Sequence, residues 1–145
     1  MSGQLTFNKT RNGSGTRMYG KLVWGTDEYD AVSGGYGKGA LIDGAYSIRK
    51  KHAVEGDEKT MSAGYLNPMT KEGWFLPIEP KFVTKRKGFG IHPDGNKPGT
   101  LGCIGLQGVD IDRFWKKWNK TPMDKRPSSV TVQTIMIRHS ADSGT

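Results

Sequence analysis

Apolar and polar positions in this chain alternate in short runs that glycine and polar residues interrupt, a pattern that predicts strands far more often than helices. Residues 4–9 place Leu5 and Phe7 between polar neighbours, and residues 16–24 form a second such run. Between them, Asn12-Gly13-Ser14-Gly15 predicts a hairpin turn, because Asn-Gly supplies the positive φ angles that tight hairpins need. A strand over 40–48 carries Ile42, Ala45, Tyr46 and Ile48 around Asp43-Gly44, and a polar surface excursion over 52–61 follows. Apolar strands are expected again at 74–78, with Pro77 marking an edge or a bulge, and at 88–92, ending on His92. The run 130–137 alternates imperfectly enough to predict a strand buried on both faces that closes the sheet.

One segment has the other period. Ile111, Phe114, Trp115 and Trp118 recur at i, i+3, i+4 and i+7, which predicts a helix over 110–120 with Asp110 as its N-cap and Pro122 as its stop. A basic helix carrying tryptophans could lie on a membrane, but a stripe this short reads as core, with Trp115 and Trp118 as packing residues. The pattern as a whole predicts a mostly β single domain over 1–145, a β-sandwich or mixed sheet with one short helix after the cysteine loop.

Composition narrows the class of partner. With 145 residues, 21 glycines and 34% hydrophobic residues, the chain suits one turn-rich domain with a modest core. Its net charge of +8 fits an anionic partner, whether nucleic acid, a phospholipid surface or an acidic wall polymer. A single cysteine excludes an internal disulfide framework and a four-cysteine zinc site. No window approaches the roughly 18 apolar residues of a membrane span, and the N-terminus lacks a basic segment followed by an apolar one, so synthesis in the cytoplasm without a Sec-type signal is expected. The glycine-rich stretch 33–39 lacks a Lys-Ser/Thr ending and precedes a strand instead of a helix, which argues against a phosphate cradle.

Chemistry concentrates between residues 90 and 106, where the only cysteine and one of three histidines fall within 103 − 92 = 11 positions. A thiol needs a nearby base to become a thiolate at neutral pH, and a histidine ending one strand can meet a cysteine opening the next element. Gly102 would let backbone N–H groups converge beside Cys103 as an oxyanion hole, and the Thr100 hydroxyl would fix the loop. The alternative is a buried cysteine packing beside a loop histidine. His52 sits among charged neighbours and reads as solvated. A zinc site from His52, His92, His139 and Asp94 would lack a close ligand pair, so neither metal nor cofactor is expected. Asp94 could orient His92, although Pro93-Asp94-Gly95 is first a turn signal.

The segment Ile91-His92 followed by Thr100-Leu101-Gly102-Cys103-Ile104 resembles the active-site signature of the L,D-transpeptidase catalytic domain, a histidine followed by Ser/Thr-x-Gly-Cys. Upstream, residues 39–48 resemble that family's strand with an Asp-Gly-x-Tyr-x-Ile pattern, here Asp43, Gly44, Tyr46 and Ile48. The spacing of 11 is shorter than usual and resembles compact variants among type VI secretion effectors and phage wall-lytic enzymes. The resemblance implies that Cys103 attacks the carbonyl at the L-centre of diaminopimelate in a peptidoglycan stem and forms a thioester. His92 would serve as its base with a pKa near working pH, and Asp94 and Tyr46 would lie at the substrate. Carboxypeptidase, endopeptidase, D-amino-acid exchange and transpeptidase outcomes share that acyl-enzyme. Many family members carry arginine at the Gly105 position and histidine at the Leu101 position, so contacts made by those side chains do not carry over.

The implied setting is a monomeric wall-degrading enzyme delivered to the bacterial periplasm by a phage holin or a secretion device, with an immunity protein as a possible partner. Two rivals stand beside it: a basic nucleic-acid-binding module, and a catalytically inactive wall-binding or immunity protein of the same fold. The basic stretches 81–87 and 113–126 would serve approach to an anionic wall as well as they would serve DNA, but the aromatics do not stand among the lysines as stacking platforms.

Overall fold

A computed structural model describes residues 3–13, 15–34, 39–95, 100 and 103–135. Nine strands follow in chain order: β1 (Leu5–Asn12), β2 (Met18–Trp24), β3 (Asp27–Ser33), β4 (Gly44–Ile48), β5 (Val54–Asp57), β6 (Glu72–Pro80), β7 (Gly90–Pro93), β8 (Ile104–Leu106) and β9 (Ser129–Thr134), with one helix, α1 (Asp110–Lys120), between the last two. The strand order is β4-β9-β1-β2-β3-β8-β7-β6-β5, and β4 also pairs with β6. That extra pairing joins the ends of an eight-stranded sheet into a closed barrel, leaving β5 as a flap on β6. The sheet is mixed, as expected, with β1–β9 and β7–β8 parallel and the other pairs antiparallel. It closes on itself in place of the two separate layers of a sandwich.

Alternation along the strands fills the barrel. Leu5 and Phe7, Leu22, Tyr29 and Ala31, Tyr46 and Ile48, Leu76 and Ile78, Ile91, Ile104 and Leu106, and Val130 and Val132 form one continuous core with the aromatic rings of α1. β9 is buried on one face only: Val130 and Val132 point inward, Ser129 and Thr131 are half-buried, and Ile135 is exposed. This corrects the expectation of a doubly buried strand, whose residues 136–137 lie outside the described residues. β3 escaped the sequence reading because its acidic outward positions broke up the apolar signal, although Tyr29 and Ala31 alternate inward.

α1 occupies the expected span. Phe114 and Trp118 pack on Trp24, Tyr29 and Trp74 and stop one end of the barrel. The cap, however, is Val109, because the Asp110 carboxylate instead accepts the Asp30 backbone N–H at 2.7 Å and pairs with Arg113. At the opposite end, the buried Lys9 ammonium donates to the Leu41 carbonyl at 2.8 Å and pairs with Asp43 at 2.8 Å, which holds the segment leading into β4. β4 thus begins at Gly44, and residues 40–43, expected as part of the strand, are loop.

Pro77 lies neither at an edge nor in a bulge. β6 has neighbours on both sides, and Pro77 falls between the segments of β6 that pair with β5 and with β4, where its carbonyl accepts the Arg49 N–H at 2.9 Å and no ladder donor is needed. The polar excursion after His52 contains β5, which is exposed along most of its length.

The first hairpin is tightest at Gly20, where β1 carries a bulge between Lys9 and Arg11. A Cβ at Gly20 would sit 1.9 Å from the Asn8 carbonyl oxygen. Gly20→Ala is therefore expected to lower stability by about 2 kcal/mol through forced backbone separation. Chemical denaturation would measure the loss, and an unchanged midpoint would contradict it.

Candidate functional site

The register of β7 and β8 pairs Ile91 with Ile104 and His92 with Gly105. Ile91 and Ile104 belong to the core, so His92 and Gly105 stand on the outer face of the barrel wall. Extending the register by one residue sets Cys103 opposite Gly90 and on the same face as His92. The thiol does lie against that segment, with Sγ 3.7 Å from the Gly88 carbonyl oxygen. By register His92 and Cys103 are thus diagonal positions on one face, about 8 Å apart at Cα by strand spacing and rise, while the thiol itself turns to the Gly88 carbonyl, on the side of Gly90 away from His92.

Close packing surrounds Gly105. A Cβ there would meet the Thr100 methyl at 2.9 Å and the Asp94 Cβ at 3.0 Å, so no side chain fits beside His92. Thr100 does the work expected of it: its hydroxyl donates to the Cys103 carbonyl at 2.8 Å and accepts the Gly34 N–H at 3.1 Å, tying the cysteine loop to the end of β3. The Thr100 N–H returns to the Gly34 carbonyl at 2.8 Å. Gly102, expected beside the thiol, lies outside the described residues, as does His139.

His92 is held in one tautomer. Its Nδ1 is 2.7 Å from the Pro93 carbonyl oxygen, which can only accept, so Nδ1 carries the proton and Nε2 keeps its lone pair. Phe75 stacks on the ring at 5.7 Å, and Tyr65 meets it edge-on at 4.7 Å. Tyr65 comes from the strap around the short helical turn Ala63–Tyr65, which lies close over Gly95: the Gly95 N–H donates to the Gly64 carbonyl at 3.2 Å. His92 is only 4% exposed and Cys103 only 7%. Tyr65 and Phe75 also line a cavity of about 370 Å³ with Val54, Thr60, Met61 and Ser62.

Burial sets both protonation states. It pushes the His92 imidazole down to about 4, against the smaller opposing effect of the Pro93 carbonyl. It pushes the Cys103 thiol up, partly offset by the Gly90 backbone and by the positive charge of Arg86. Thiol and imidazole therefore both rest uncharged. The expectation of a base titrating near neutral pH is corrected, because Phe75, Tyr65 and the strap exclude water from the ring.

Arg86 and Tyr65 escaped the sequence reading. Arg86 sat in a basic stretch read as serving approach to an anionic partner, yet its guanidinium donates to the Gly39 and Ala40 carbonyls at 3.0 and 3.2 Å and covers the Phe89 ring. Nothing in local sequence distinguishes it from its exposed neighbours Lys85 and Lys87. The stretch 113–126 is similarly engaged: Arg113 pairs with Asp110, Lys117 with Asp27 at 2.6 Å, and Arg126 donates to the Thr121 carbonyl at 2.8 Å. His52 is exposed beside Arg49.

Tyr46 is not at the substrate. It is fully enclosed, its hydroxyl donates to the Ile42 carbonyl at 2.6 Å, Phe82 and Phe89 pack on its ring, and burial pushes its phenol up to about 12. Asp94 accepts from Gln107 Nε2 at 3.1 Å and lines a second cavity of about 480 Å³ with residues of the 67–70 loop, beside the exit of β7. Among the described residues, no three His, Cys, Asp or Glu side chains converge to hold a metal ion, and no helix is long and apolar enough to cross a membrane.

Compared with protein families, with curated proteins and with solved structures, the chain matches none.

The buried imidazole makes stability depend on pH. Its folded pKa of about 4 lies below the ordinary value of 6.5, so the unfolded chain binds the extra proton first as pH falls. Stability is therefore full above pH 6.5, declines between 6.5 and 4 and levels off below, by about 3 kcal/mol in all for this group. Thermal melts across that window should show the decline, and His92→Gln should flatten it. Asp27 and Asp43, held below the usual carboxylate range by Lys117 and Lys9, add their losses at lower pH. Tyr65→Ala, which admits water to the ring, should raise the His92 pKa toward 6.5 in an NMR titration.

Proposed function

We propose that this protein is a cysteine acyl-transfer enzyme of the L,D-transpeptidase type, acting on the stem peptides of peptidoglycan. The observation that carries the reading is the diagonal placement of His92 and Cys103 on one face of two parallel strands, with the Cys103 loop pinned by Thr100. The short signature around Cys103 supplies the reaction class.

In this reading, substrate displaces the Tyr65 strap and reaches the thiol. His92 Nε2 takes the thiol proton as sulfur attacks the carbonyl at the L-centre of diaminopimelate, and the tetrahedral oxyanion is met by backbone N–H groups of the cysteine loop. The imidazolium then gives its proton to the departing amine, leaving a thioester that water or a second amine resolves. The Pro93 carbonyl supports the charged ring through Nδ1, and Arg86 favours the thiolate that forms in passing. A low resting pKa suits a base that must return its proton to the leaving amine, provided that water and substrate polarity raise it when the strap lifts. The place of action is the bacterial wall, which the positive net charge helps the protein approach.

Incubation with disaccharide tetrapeptide, read by mass spectrometry, should show loss of the terminal alanine, stem dimers or alanine exchange. Cys103→Ala should reduce that product by roughly a thousandfold or more, while keeping the fold. Product unchanged in Cys103→Ala would overturn the thioester mechanism. Untouched stems together with DNA binding of steep salt dependence would put the nucleic-acid reading in its place.

A further inference from the structure

The β5–β6 hairpin stands beyond the barrel wall and faces α1, and a cavity of about 870 Å³ lies between them. It shares no residue with the His92–Cys103 face. Its floor is aromatic: Trp115 stacks on Trp74 with ring centroids 4.5 Å apart and planes within 4°, and Trp74 stacks in turn on Phe114. Trp74, Phe114 and Trp118 are buried, whereas Trp115 is only half-buried and borders the cavity. Its orientation is fixed, because Nε1 donates to the Glu55 carboxylate at 2.7 Å.

The polar rim combines both hydrogen-bonding senses. Glu72 and Asp112 offer acceptors, while Lys116 and Asn119 offer donors from the exposed face of α1. Trp74 closes the floor beneath Trp115: only 3% of the residue is exposed, and its ring is enclosed by the stack.

Carboxylates contributed by both walls oppose a phosphate polymer, and among the described residues none of the acidic side chains forms a group of three suited to a metal ion. A neutral ligand with an apolar face and hydroxyls that both donate and accept fits this floor and rim. We propose that this groove binds a saccharide, the pyranose face lying along Trp115 and its hydroxyls pairing with the side chains of Glu72, Asp112, Lys116 and Asn119. That the saccharide is a wall glycan rests on the thioester reading of Cys103; that the groove takes a sugar does not.

Titration of the Cys103→Ala protein with the tetramer of N-acetylglucosamine tests this without turnover. Tryptophan fluorescence should change saturably, and calorimetry should give the same affinity. The double variant Lys116→Ala/Asn119→Ala, at exposed positions, should keep its melting temperature and bind about tenfold more weakly, as expected for two lost hydrogen bonds. Trp115→Phe, which keeps an aromatic ring in the stack, should lose most of the fluorescence response. No saturation up to about 10 mM, with this tetramer or with a glucose tetramer, would overturn the proposal. The two readings fail separately: a protein that processes a sugar-free tetrapeptide but binds no tetramer defeats only the groove, and one that binds the tetramer but leaves every stem intact defeats only the thioester.

Discussion

Everything at the thiol depends on β7 and β8 lying parallel inside a closed ring. Parallel neighbours require the chain to travel back along the sheet between them, commonly through a dozen or more residues. Here ten residues, 94–103, make the return, which is feasible because β7 and β8 are only four and three residues long. A return that short leaves the end of one strand and the beginning of the next on adjacent rungs. His92 near the end of β7 and Cys103 just before β8 then stand on one face of neighbouring strands, and the gap of eleven positions between them is a geometric consequence of short strands. Barrel closure through β4–β6 keeps this wall from splaying, while α1 stops the far end.

The neutrality of the pair follows from the same enclosure. An imidazolium–thiolate pair beneath Phe75, Tyr65 and the strap would carry two charges out of water for the sake of one attraction, and burial of paired ions commonly fails to repay that cost. Thiol and imidazole instead rest uncharged, with Pro93 and Gly88 carbonyls satisfying their hydrogens. Arg86 supplies the counter-influence from outside, held by two backbone carbonyls so that its charge stays near the cysteine loop. Activation in the proposed mechanism is therefore a change of solvation as well as of contact.

Net charge is a poor guide to this surface. Lys9, Arg86, Arg113, Lys117 and Arg126 are all committed to carboxylates or carbonyls that hold loops and helix ends in place. What remains is dispersed, and the largest cavity among those described is rimmed by carboxylates from both walls. The approach to an anionic wall inferred from +8 thus concerns the long-range field, whereas recognition at short range falls to shape and hydrogen bonding.

The sequence by itself determined the elements whose signal is local. The span of α1 is legible because four apolar side chains repeat at the helical period, although its cap falls on Val109 in place of Asp110, and the first hairpin is legible from its glycines, with the positive φ at Gly15 while Asn12 stays in β1. His92, Thr100 and Cys103 stood out as rare residue types in a short interval, and Thr100 acts as that interval suggested. The tertiary structure decided what depends on distant partners: closure into a barrel, the passage of Pro77 between two neighbours, the core burial of Tyr46, the packing of Tyr65 on the His92 ring, and the influence of Arg86 on the thiol. It also lowered the pKa of His92, since the rings that exclude water from it belong to residues 17 and 27 positions upstream in the chain. Periodicity and turn chemistry act between neighbours in sequence, whereas desolvation and register are properties of what folding brings alongside.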